Sequence, residues 1–451
     1  MKRRGFRLLA AGSLFLAVAA GAATRPRYGG TLHVCLHAAP GSFDPNQADF
    51  AGSRSLLGLI FDTLATLDGQ GQPQPALATA WQAESGNQRW QFSLRHGTTF
   101  SDGTPLTADF AASSLRAANP TWKVFSAGEA VVIERDSPAP DLPAELALVR
   151  NGIVKRESGK DFGTGPFVVT QWDPGRKLVV TAREDYWGGR PFLDSIEVEM
   201  GKNFREQMVA FDLGKTQVIE VAPEQAQRAA TEGRGIEASS PVELLALVFS
   251  RDPQSAADSK LREALSLSID RRLLSSVVLQ NGGEPAGGLL PNWLTGYGFL
   301  FPVEVDLTRA QQGRAEVPET SVWNLGFDAN DPMERVLAER IVLNARDAGL
   351  RLQLATGAAE IRLVRVPLAS LNTRVALTAL MGALGVPQAR INGDSVDDLY
   401  MAESAVLKSQ RVIPLLHLRT ACAVSKTVRS WSEARDGAWR LPDVWLAAER
   451  P

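Results

Sequence analysis

Tyr28-Gly29-Gly30-Thr31-Leu32 opens the part of the chain that decides the fold. Ser42-Phe43-Asp44-Pro45 follows it, and Ser101-Asp102-Gly103-Thr104-Pro105-Leu106-Thr107-Ala108 stands further on. Residues 31–36 read as a strand, because Leu32, Val34 and Leu36 recur with a period of two and share one face. Working outward, residues 54–67 carry apolar side chains at helical spacing, with Leu56, Leu57, Leu59, Ile60, Leu64 and Leu67 on one broad side. Trp90, Phe92 and Leu94 alternate, which predicts a half-buried strand leading into the Asp102-Gly103 turn. Thr107 is placed to cap the helix that follows, since its hydroxyl can accept an orphan backbone N–H. Residues 167–172 and 177–182 form a hairpin pattern around Asp173-Pro174-Gly175, where Pro fixes φ and Gly permits positive φ.

The character changes at 244–250, an apolar run that ends in Arg251-Asp252-Pro253-Gln254-Ser255. A helix is expected over 259–274. Residues 322–327, 333–348 and 350–354 then read as β-α-β, with Gly349 stopping the helix. A strand, a crossover helix and a second strand indicate a parallel α/β unit. Strand character returns at 412–417 and 421–424. No internal repeat or low-complexity tract interrupts the chain.

At 451 residues the chain is long enough for two or three cores, and its composition, 44% hydrophobic and 22% charged, is that of a globular protein. Forty-eight basic and fifty acidic side chains leave a formal charge of −2, so charge makes no case for nucleic acid or a polyanion. Lys2, Arg3, Arg4 and Arg7 precede an apolar stretch over 8–20, and Ala20-Gly21-Ala22 follows as a small-x-small cleavage site. This reads as a signal peptide over 1–22, with a soluble protein outside the cytoplasm as its product. The apolar run is short for a membrane span, and no cysteine near the cleavage site suggests a lipid anchor. Arg3-Arg4-Gly5-Phe6 partly fits a twin-arginine signal, with Lys2 where Ser or Thr is usual; ordinary secretion is the expected route.

Export makes the two cysteines matter. Cys35 falls in the first strand and Cys422 near the last. They are either two buried thiols or a disulfide that ties the ends of one lobe together, which requires Cα atoms within roughly 7 Å.

Catalytic patterns are lacking. The sequence has four histidines (His33, His37, His96 and His417) and no Gly-x-Ser-x-Gly, His-Glu-x-x-His or Walker Gly-Lys-Ser pattern. Gly163-x-Gly165 precedes a strand, not a helix, and so is no dinucleotide loop. His33, Cys35 and His37 alternate on one strand face, with His417 and Cys422 near them if the first and last strands are close. Residues two apart in a strand lie about 6.5–7 Å apart, so one ion could take at most two of the three. Polar residues on a strand face are the expectation, with no metal, no cofactor and no enzyme activity.

Several short motifs, in order, resemble a known family. They are Tyr28–Leu32, Ser42–Pro45, Pro75-Ala76-Leu77-Ala78 with Trp81, Ser101–Ala108, Gly163-Thr164-Gly165-Pro166-Phe167 and Tyr186-Trp187-Gly188-Gly189-Arg190-Pro191. Leu261-Arg262-Glu263-Ala264-Leu265, Ile269-Asp270-Arg271 and Ile413-Pro414-Leu415 complete the series. Their order over nearly the whole chain resembles the family 5 extracellular solute-binding proteins, which serve oligopeptide, dipeptide and nickel ABC importers.

The resemblance implies an α/β, two-lobed periplasmic-binding-protein-like fold with an inserted subdomain in the first lobe and a hinge of two crossing strands. Mapped here, lobe one takes 25–249 plus 412–451, with the insertion at about 46–160, and lobe two takes 250–411. Parts of both lobes look short for the family. It also implies a monomer that captures a peptide-like or other small solute and delivers it to an ABC permease. A sensor or interaction protein without transport is the alternative, and a secreted hydrolase a weaker one.

The ligand is expected between the lobes. The turn before Ser-Phe-Asp-Pro faces that cleft in the family, corresponding here to Ala39, Pro40, Gly41 and Ser42, whose backbone could hydrogen-bond an extended peptide. Phe43, Asp44 and Pro45 themselves read as a buried aromatic and a rigid turn. Peptide receptors of the family carry a Gly-Trp-x-x-Asp-Tyr type segment on the opposite wall, whose Asp holds the peptide amino group. The matching region, 379–387, places Leu380, Met381, Gly382 and Leu384 there and has neither the Trp nor the Asp. Losing that carboxylate removes a bond of roughly 1.5–3 kcal/mol to an ammonium group. Ordinary free dipeptides are therefore expected to bind weakly.

Overall fold

Strand Thr31–Cys35 buries Leu32 and Val34 and pairs in parallel with Ser195–Glu199 on one side and Val218–Val221 on the other. The structure, a computed structural model, describes residues 25–47, 53–84, 86–318, 322–391, 393, 395–433 and 435–447. The signal-peptide reading over 1–22 lies outside these residues. From Thr31–Cys35 the sheet extends through the antiparallel strand Lys177–Ala182 to Phe167–Asp173, the hairpin expected around Gly175. In the other direction it passes from Val218–Val221 to two long strands, Val412–Val424 and Ile236–Phe249, and on to Ile361–Pro367, Val322–Gly326 and Arg351–Ala355.

One sheet of eleven strands thus runs through the molecule, but its two ends have separate cores. In the first, Leu32, Val34, Leu178, Val180, Ile196 and Val198 pack against Leu56, Leu59 and Phe167. In the second, alternate residues of one strand face opposite layers. Leu245, Leu247 and Phe249 meet Leu261, Leu265 and Leu337, while Leu244 and Ala246 meet Leu377, Leu380 and Met381. Helices cover both faces, and this is why 244–250 is a continuous apolar run. The β-α-β unit is present as Val322–Gly326, helix Pro332–Asp347 and Arg351–Ala355, with the two strands parallel.

The long strands carry the sheet from one core to the other. Their register slips between Ala238 and Glu243, around Pro241, which has no N–H to give to a ladder. Side chains hold the gap. Thr420 N–H donates to the Ser239 hydroxyl at 3.0 Å, and Arg419 Nη1 to the Ser239 carbonyl at 3.2 Å. Residues 244–249 pair along their length with Ile361–Pro367 and with 412–417.

A four-stranded antiparallel sheet, in the order Ala78–Ala83, Arg89–Leu94, Ala130–Glu134, Lys123–Ala127, stands apart with its own core. Helix Ala108–Ala118 packs on it and is capped by Thr107, which accepts Phe110 N–H at 3.3 Å.

Two helices are shorter than their periodicity predicts. Helix Ser53–Ile60 stops before 67, and residues Ala65–Leu67 form a small hairpin with Pro73–Pro75 instead. The Ile60 carbonyl accepts Gly165 N–H at 2.9 Å rather than continuing the helix. A Cβ on Gly163 would sit 1.9 Å from that same oxygen, so the Gly-Thr-Gly segment admits no side chain there. Helix Ala256–Ser268 likewise ends before 274. Arg271 turns inward and donates to the carbonyls of Ser266, Ala286 and Pro414, and the chain bends around it.

Candidate ligand site between the lobes

The ends of the central strands in both lobes converge on a cleft holding two spaces of about 270 and 470 Å³ that share His37, Phe204 and Arg365 in their walls. Glu220 reaches it from the strand Val218–Val221, and His37 and Ala38 from the turn after Thr31–Cys35. Glu433 and Trp439 come from the C-terminal segment. Glu243, Asp331, Glu334 and Arg365 form the facing wall. The first lobe thus supplies one side and the second the other.

Charge is concentrated there. Arg365 donates to Glu243 Oε2 at 2.5 Å and lies 3.5 Å from Asp331 Oδ2. Glu243 is the main reason its guanidinium is held strongly protonated. Glu220 accepts His37 N–H at 2.5 Å, yet burial pushes its carboxyl above the ordinary range. Burial does the same to Glu334, which accepts Asp328 N–H at 2.8 Å. Glu433 accepts the Cys422 thiol at 3.2 Å through Oε1, and burial raises its carboxyl as well. Among the described residues its Oε2 has no hydrogen-bond partner, nor has Oε2 of Glu224 beside the larger space. Isolated carboxylates in such a place are costly unless a proton or a cation meets them.

The residues expected from the sequence to form the site line neither of these two spaces. Ala39, Gly41 and Ser42 are exposed and Pro40 is buried. The Pro40 carbonyl accepts Gly175 N–H at 2.9 Å from the neighbouring hairpin, so part of this backbone edge is already paired. None of the four lines the cleft, although His37 and Ala38 just before them do. On the second lobe, residues 373–383 form a helix, not a cleft wall. Leu380, Met381 and Leu384 are packed in the core with Leu244 and Leu377. Gly382 is exposed and faces a different groove, next to Ala139 and Asp141 of the first lobe.

Sequence reasoning missed Glu220 and Arg365, and the signal was present. Each is a charge flanked by apolar residues in a strand, Glu220 in Val218-Ile219-Glu220-Val221 and Arg365 in Leu363-Val364-Arg365-Val366, where Arg362 is a second charge. Glu433 gave no such signal, because it sits in an irregular segment that only the fold brings to the cleft.

Cys35 and Cys422 are free and buried. His33 lies 3.9 Å from Glu197, and His37 stacks on Phe204, so the alternating trio does not converge.

The lobes touch beyond the cleft. Arg54 pairs with Asp436 and donates to the Leu368 carbonyl of the second lobe. Arg374 donates to Asp141 at 2.6 Å. Gly71, at φ +77°, lies so near Leu371 that a Cβ would come within 2.4 Å of its carbonyl oxygen.

Comparison with known proteins accords with this architecture. An uncharacterized Bacillus subtilis protein, YhjP, is 36% identical over 171 residues, 35% of this chain and 29% of its own length. The Escherichia coli periplasmic murein peptide-binding protein MppA is 26% identical over 302 residues, 57% of this chain and 56% of its own. By sequence, the chain thus spans well under two thirds of either relative. In fold, a Pseudoalteromonas dipeptide-binding protein solved in complex with Met-Leu matches with a TM-score of 0.79, at 17% identity. That match covers 93% of this chain and all of the other. The model of the bacterial extracellular solute-binding proteins, family 5, matches residues 72–389, and the chain belongs to that family.

Proposed function

We propose that this protein is an exported solute-binding protein that captures a small solute between its lobes and passes it to an ABC permease. One observation carries the reading: the cleft cavity is walled by both lobes, which are joined by two strands whose register breaks at the crossing. Family membership supports a binding role over an enzymatic one, and the periplasmic relatives support export. We place the hinge at residues 239–242 and 418–420, where the ladder slips, and not at the 249/250 and 411/412 boundaries read from the sequence. The apolar runs there are second-lobe core.

Native mass spectrometry of gently purified protein is the test, with small-angle scattering as its companion. A solute bound one to one, with a radius of gyration that falls on binding, is the expected result. A proven ligand that leaves the radius unchanged overturns capture by closure.

A further inference from the structure

We propose that residues 367–375 of the second lobe form a seam that latches the lobes together, with Arg54 and the Asp141–Arg374 pair as its positioning residues. This rests on the solute-capture reading and names what, besides solute, sets the balance between open and closed lobes. The segment leaves the cleft wall at Pro367, which lines the inner space together with Ser55 and Gly437 of the first lobe. It then meets three separate pieces of the first lobe in turn. The Leu368 carbonyl accepts Arg54 from helix Ser53–Ile60, and Asp436 holds that guanidinium from its other side. The backbone of Leu371 and Asn372 lies against Gly71, in the turn between Ala65–Leu67 and Pro73–Pro75. Arg374 donates to Asp141 at 2.6 Å, and Val375 is buried with Ala144 and Leu148, beside Leu67 and Ala369.

These contacts suit a joint that is made and broken. The Arg374 and Asp141 side chains keep 20% and 29% of their exposure, so both ends can return to water when the lobes part. The apolar part is a small cluster, separate from the cores of either lobe. Because the seam begins at the cleft wall, lobes that part at the cleft part there too.

Contacts present in only one of two arrangements shift the balance toward it. A larger closed fraction in turn raises the apparent affinity for any solute held by the closed form. Neither Arg54 nor Arg374 lines the two cleft spaces, so both act on binding through the lobes and not by touching solute.

Small-angle scattering on the full protein, stripped of solute, tests this with Arg374→Ala, Asp141→Ala and Gly71→Asn. The two alanine variants reach one ion pair from either side, so a single folded one suffices. Gly71 has φ +77°, which Asn tolerates, so the turn is kept while a Cβ 2.4 Å from the Leu371 carbonyl oxygen wedges the lobes apart. Each variant, shown to be folded by an unchanged melting profile, should have a larger radius of gyration than the wild type. Arg374→Lys, which keeps the charge, should stay near the wild-type radius. Alanine variants with the wild-type radius, or a lysine variant as expanded as Arg374→Ala, would overturn the proposal. The two readings separate cleanly: equal radii without solute, followed by compaction when solute binds, remove the latch but leave solute capture standing.

Discussion

Asp62 and Trp187, 125 positions apart, meet at 2.8 Å, the indole N–H donating to the carboxylate. Thr164 donates to the same carboxylate at 3.1 Å and Tyr186 at 3.2 Å. The Gly163–Phe167 and Tyr186–Pro191 motifs therefore converge on one side chain at the end of the first helix. Burial pushes the Asp62 carboxyl up, and these three donors work against that. Asp62→Ala should strand three donors and cost about 3–5 kcal/mol. Asp62→Asn, which keeps one acceptor, should cost less. Urea unfolding decides it, read as a lower midpoint at unchanged slope.

The motif order was legible because each piece is a local turn or cap with its own residue chemistry. What the pieces do together was not, since Asp62 shows nothing in its neighbourhood of the sequence that marks it as the acceptor for residues a hundred positions on. The packing of residues 379–384 in a core helix was hidden for another reason. Residues 379–384 are an apolar run, and such a run does not separate a core helix from a cleft strand by periodicity alone. Arg365, a charge set between Val364 and Val366, was the better guide to the cleft strand Ile361–Pro367.

Leu384 was expected to face the ligand, and there Leu384→Asp would have restored an amine anchor. It is only 5% exposed and packs in the second-lobe core. We predict that Leu384→Asp costs about 3–5 kcal/mol by burying a carboxylate without a partner. It should add no preference for free over acetylated dipeptides. Ala383→Asp, on the exposed side of the same helix end, should cost under about 1 kcal/mol. Denaturation curves for both, with calorimetry on matched peptides, check the contrast. A gain in affinity for free amines would contradict it.

Cys35 pairs with Ile219, and Ile219 with Ala423, so a whole strand lies between the two cysteine-bearing strands. Two strand spacings amount to about 9.5 Å, beyond the roughly 7 Å a disulfide spans. The thiols also face opposite sides, Cys35 toward Ala421 and Ala423, Cys422 toward Leu32 and Val34. Unfolding without reductant should expose two reactive thiols per chain, and the folded protein should label slowly. Zero thiols in the unfolded, unreduced protein would refute this.

His417 supplies a pH signature. It is buried on the strand Val412–Val424 with Nε2 3.0 Å from the Leu289 carbonyl, so the neutral ring carries its proton on Nε2. Burial lowers its pKa from 6.5 to about 4, against the smaller opposing effect of the carbonyl. Between those two values the unfolded chain takes up a proton that the folded chain refuses, so stability is full above 6.5 and falls as pH drops toward 4. Down to pH 5 this amounts to about 2 kcal/mol. The acids Glu220, Glu334, Glu403 and Glu433, all raised by desolvation, act in the opposite sense, since the folded chain protonates them first. Wild type alone therefore reports only the balance. His417→Gln keeps an N–H for Leu289 and cannot titrate. Between pH 7 and pH 5 the wild type should lose about 2 kcal/mol more than this variant, measured by urea unfolding at each pH. Equal losses would show that the ring is protonated, or solvated, within the folded protein.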